Sequence, residues 1–145
     1  MAAFESHKDP SVPPHWQALT ALLAVLLLLV LAHDIDHVVN EERLGELTVA
    51  FWLFLPVQYS AFVAVIALVW RRHGLGPTLA SALAVTSVLA FVGAHLVPFG
   101  LLAYRDSDPL AISWALVFVP MAVALVTLAV ALRLRSADRP PAHGG

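Results

Sequence analysis

The stretch "ALTALLAVLLLLVLAHDIDHVVNEER", residues 18–43, opens as an oily run and closes as a dense patch of imidazole and acid. Apart from Thr20, nothing polar precedes His33. A helix of about 20 apolar residues crosses the hydrocarbon core of a bilayer. The run therefore predicts a membrane span over residues 18–39 whose final turns carry the polar patch. At 100° per residue, His33, His37 and Glu41 form a ladder at i, i+4 and i+8 and share one face. Asp36 and Asn40 flank that face, and Asp34 sits at its edge.

The rest of the chain repeats the oily half of this pattern three times. Apolar runs over residues 49–70, 78–103 and 110–132 are each long enough to span, and short connectors separate them. Short links make consecutive helices antiparallel neighbours. The expected fold is thus all-α, an integral membrane up-down-up-down four-helix bundle over residues 16–134. The Pro-rich segment 1–15 and the polar segment 135–145 are read as tails, the second disordered. Gly74 and Gly76 suit the turn before the third span, and Pro77 and Pro109 suit the opening turns of the third and fourth.

Composition agrees with lipid as the solvent. Of the 145 residues, 60% are hydrophobic and 12% charged, against about 25% charged in soluble domains. The first apolar run is long, with no small-residue cleavage site before its charged end, and is read as a retained span rather than a signal peptide. No basic stripe interleaved with aromatics is present, which argues against nucleic-acid binding. Cysteine is absent, removing disulfides, thiolate metal sites and Fe–S clusters.

Orientation follows from where Lys and Arg fall. Lys8, Arg71, Arg72, Arg133, Arg135 and Arg139 belong to one side, and only Arg43 and Arg105 to the other. Both termini are therefore expected in the cytoplasm of a cell-membrane protein, with the His33 end facing outward. Between His33 and Glu46 lie five acids and one arginine, a local charge of −4 that would concentrate cations.

Ionisable groups within a span are costly and usually face a bundle interior or a wet cavity. Counting from the outer ends, His33, Gln58 with Tyr59, and His95 fall at similar depths, about 10–13 Å at 1.5 Å per residue. Pro56 and Pro98 interrupt the second and third spans nearby, and Pro120 the fourth. With Gly93 and Gly100 thinning the wall, an outward-opening polar cavity lined by Asp34, Gln58 and Tyr59 is expected.

Two imidazoles at i, i+4 with a third from another helix make a facial metal set. Here that set is His33, His37 and His95. Asp36 and Glu41 are the expected supporting carboxylates, either as a fourth ligand or holding a histidine tautomer, and the catalytic groups if the site is an enzyme's. Nitrogen and oxygen donors favour a divalent transition metal, zinc first. With one position open, metal-assisted hydrolysis or oxidation of a lipid-like or small amphiphilic substrate is the reaction class. Protons compete with metal for imidazole nitrogens, so affinity is expected to fall steeply below about pH 6.5.

Other classes remain open. His33 and His95 could be axial ligands of a b-type haem, although the neighbouring carboxylates suit an apolar macrocycle poorly. A proton or ion path would need inward continuation, which Ser81, Thr86, Ser87 and Thr127 supply only thinly. A non-catalytic accessory subunit of a larger membrane complex, or a homodimer, also fits so small a chain. For Glu42, Glu46, Asp106 and Asp108 a solvated helix end is the simpler account.

Overall fold

A computed structural model describes residues 14–40, 49–96 and 110–137. Four helices carry the described chain: α1 (Pro14–Val39), α2 (Val49–Trp70), α3 (Gly76–Phe91) and α4 (Ala111–Ala137). A π-helical turn, Val92–Leu96, prolongs α3. Each of the four is long and apolar enough to cross a membrane. In hydrocarbon no water competes for backbone groups, so an uninterrupted helix is the only open-ended element that satisfies them. The fold is all-helical, with the topology of a membrane-spanning four-helix bundle.

Packing follows chain order. α1 lies against α2, α2 against α3, α3 against α4, and α4 returns to α1, the contacts of α4 with α1 and α3 being the most extensive. The pair α1 and α3 does not pack along its length, which puts these two helices on a diagonal. Large apolar side chains, among them Leu28, Leu53, Val57, Leu89 and Leu125, are exposed on the outer faces, where lipid would contact them.

The centre is filled in layers. One end holds Leu19, Leu23, Val65, Val69, Ala80, Ala131 and Leu134. The middle holds Leu26, Val30, Phe62, Ala84, Phe91, Val117 and Ala124. Buried hydroxyls in these layers turn back on their own helices: Ser81 donates to Pro77 O (2.8 Å), Ser87 to Leu83 O (2.9 Å) and Thr127 to Val123 O (2.8 Å). Thr86 is exposed. None of these groups bridges two helices, and the inward proton path has no support among the described residues.

The link between α2 and α3 is closed mainly by backbone bonds, with the His73 ring accepting from Leu75 N–H at 3.2 Å. Arg72 N–H donates to Val69 O and His73 N–H to Leu68 O, both at 2.9 Å. That is the paired bonding of a helix end with a left-handed residue just past it, and Arg72 takes that conformation at φ 53°. Gly76 follows, and a Cβ there would lie 3.2–3.3 Å from Val69 side-chain and backbone atoms, so α3 starts hard against the last turn of α2. Pro77 occupies the first turn of α3.

Helix ends depart furthest from the sequence expectation in two places. α1 begins at Pro14, four residues before the expected span, since proline suits a first helical position. α4 continues to Ala137, past residue 135, with Arg135 in its last turn, where a cation complements the helix dipole. Pro56 and Pro120 sit inside continuous helices. Gly93 is exposed, and a Cβ there would meet nothing within 4 Å, so it does not thin a packed wall. Pro98, Gly100 and Pro109 lie outside the described residues.

Candidate metal centre

The third layer of the bundle is polar. α1 brings in His33 and His37 one turn apart, on the ridge that carries Leu19, Leu23, Leu26 and Val30 deeper down. The π turn brings in His95 from the diagonal helix. A π turn holds one residue more than an α turn and re-aims the side chains on it, which is why such turns recur at functional sites.

The three rings meet. Each residue offers one nitrogen such that all three lie within 4.8 Å of one another. His33 Nε2 and His95 Nε2 are 3.1 Å apart. Ring centroids are separated by 4.7 Å for His33–His37, 4.8 Å for His33–His95 and 5.2 Å for His37–His95. Their exposures are 4%, 0% and 5%, so all three rings are buried. Phe91, one turn before His95, lays its ring 4.8 Å from that of His33, and Phe51 of α2 lies 6.4 Å from His37.

The carboxylates are arranged differently from the expectation. The cluster is His/His/His, and no Asp or Glu among the described residues joins it. Helix geometry supplies the reason: Asp34 and Asp36 each lie about 80° around α1 from the line between His33 and His37, one on either side. Asp34 turns to α2, where Gln58 Nε2 donates to its Oδ2 at 3.1 Å and Tyr59 Oη at 2.5 Å. Asp36 stays on its own helix, its Oδ1 accepting from Asn40 Nδ2 at 2.9 Å. Glu41 lies outside the described residues. The matched depths thus resolve into two contacts at one level, imidazole with imidazole across the diagonal and carboxylate with phenol and amide between α1 and α2.

Phe91 and the π turn were missed by the sequence reading. Phe91 stands four residues before His95 and shares its face in a regular helix, a signal that was available. Compared with family models, curated proteins and solved structures, the chain finds no match. The case for function is therefore the geometry itself: a buried three-histidine cluster in a membrane four-helix bundle suggests a metal-binding membrane protein.

Proposed function

We propose that the protein holds one divalent transition-metal ion through His33, His37 and His95, and serves as a non-catalytic metal-holding component of a membrane. One observation carries this reading, the convergence of three ring nitrogens within 4.8 Å from two diagonal helices. Cis ligands at zinc–nitrogen lengths of about 2.0–2.1 Å stand about 3.3 Å apart in a tetrahedral site. The His33–His95 separation of 3.1 Å is close to that value. An all-imidazole set suits Zn²⁺, Cu²⁺, Fe²⁺ or Ni²⁺. What speaks for a holding role over hydrolysis is the shell around the cluster. A general base must reach the water it activates, yet Asp34 is engaged by Tyr59 and Gln58, and Asp36 is held by Asn40.

The orientation belongs to the same proposal. Arg71, Arg72, Arg133 and Arg135 stand at the end of the bundle opposite the histidines, and the positive-inside rule places that end in the cytoplasm. A second reading, b-type haem on His33 and His95, is favoured by the close approach of their Nε2 atoms from two helices, with Phe91 beside them as an apolar ring contact. It requires the pair to separate and admit the macrocycle.

Elemental analysis of purified full-length protein, read beside its visible spectrum, separates the two. One equivalent of a transition metal without a Soret band is expected, and substituting alanine at His33, His37 or His95 should each remove most of it. A Soret band lost with His33 and His95 but kept with His37→Ala would transfer the site to haem. Metal retained in all three variants would end the three-histidine reading.

A further inference from the structure

An ion of charge +2 bound by three neutral imidazoles brings its whole charge into the bundle, and a buried charge is tolerated only when it is compensated. Among the described residues, two acids are placed to do this. Asp34 and Asp36 stand in the single turn between His33 and His37, one on each flank of the histidine ridge. Asp34 is 8% exposed and fixed by Tyr59 and Gln58, two neutral donors that orient its charge without cancelling it. Asp36 is fixed through Oδ1, while its Oδ2 is buried and has no hydrogen-bond partner among the described residues. No Lys or Arg occurs between residues 14 and 40, 49 and 70, or 73 and 96, and the described arginines, Arg71, Arg72, Arg133 and Arg135, stand at the opposite end.

We infer that Asp34 and Asp36 are paired counter-charges of the metal, two fixed anions matched to one doubly charged ion without ligating it. The inference rests on the three-histidine reading and adds what that reading lacks, a reason for two acids at the centre of a membrane helix end. It also gives Tyr59 and Gln58 a role, holding one anion beside the site rather than lining a passage. Coulomb energy in a poorly polarisable interior is large, and partners outside the ligand shell are worth about 10–100-fold in metal affinity.

Charge and position can be tested apart. Asparagine keeps the shape and an acceptor oxygen and removes the charge; glutamate keeps the charge and moves it. Co²⁺ titration of full-length protein in detergent should show about 10-fold weaker binding for Asp34→Asn and for Asp36→Asn, and about 100-fold for the double variant. The d–d spectrum of bound Co²⁺ should be unchanged, and Asp36→Glu should bind as wild type does. Thermal unfolding gives a second readout with opposite signs. The asparagine variants should melt above wild type without metal, since an uncompensated buried anion is gone, and below it when metal is saturating. Unaltered affinity in both asparagine variants, or glutamate as damaging as asparagine, overturns the counter-charge role and leaves the three-histidine site standing. Wild-type protein that takes up no Co²⁺ removes the site and this inference together.

Discussion

The two ends of the bundle use the same four helices and fill the space between them by opposite means. At the arginine-bearing end the centre is Leu19 and Leu23 against Val65, Val69, Ala80 and Ala131. Small side chains let helices approach, and the attraction is dispersion, since lipid tails are as apolar as leucine and offer no hydrophobic drive. At the other end the centre is three imidazoles, with a carboxylate tied to phenol and amide beside them. There His33 meets His95, and Asp34 meets Gln58 and Tyr59, across helices, while Asp36 bonds to Asn40 on its own helix. The apolar end sets how the helices pack; the polar end sets what the packing is for. Stability and metal binding should accordingly respond to different residues.

Phe62 offers the largest effect that would break this division. It is 1% exposed in the middle layer, and truncating a buried phenylalanine costs about 3 kcal/mol or more. Phe62→Ala should lower the unfolding free energy by about that amount, measured in detergent, while the folded fraction keeps its full metal stoichiometry. Loss of metal in parallel with stability would show that the two ends are one cooperative unit. The converse change is His95→Leu, which keeps a side chain of similar bulk in the layer and removes one ring nitrogen from the cluster. Metal affinity should drop more than about 100-fold, beyond the loss of an outer partner, with stability little altered. Gly93→Ala, which adds a methyl group into open space, should bind metal as wild type does.

What the sequence disclosed, and what it hid, divides along the same line. Spans were legible because lipid demands length and continuous apolarity, a signal that survives without any knowledge of partners. The meeting of His33 with His95 was legible because antiparallel helices of known pitch put residues at countable depths, and Asp34 with Gln58 and Tyr59 shared that level. Side-chain direction was not. Asp36 was expected to support the cluster because it flanks the histidine face, but a side chain about 80° off the ridge of α1 finds Asn40 on its own helix first. The cues taken from Pro56 and Gly93 were not informative either, since Gly93 is exposed with open space beside it. Pro56 faces outward from a continuous α2, and the π turn, which no local motif announces, swings rings into the space.

The smallest effects sharpen the comparison most, because they set a bond across helices against one within a helix. Tyr59 Oη donates to Asp34 from α2 to α1, whereas Thr127 Oγ1 donates to Val123 O inside α4. Removing the first leaves a buried carboxylate with one donor fewer. Removing the second leaves a carbonyl that keeps its backbone partner and loses only a supplementary bond, which tends to bend the helix. Interhelical hydrogen bonds in membranes average about 0.6 kcal/mol and reach about 1.7 kcal/mol, and a charged acceptor belongs at the upper end. Tyr59→Phe should therefore cost about 1–1.5 kcal/mol in unfolding free energy, and Thr127→Val, with nearly the same volume, less than about 0.5 kcal/mol. Equal costs would mean that the polar end gains nothing from bonding across helices, and Asp34 would then need another account of its burial.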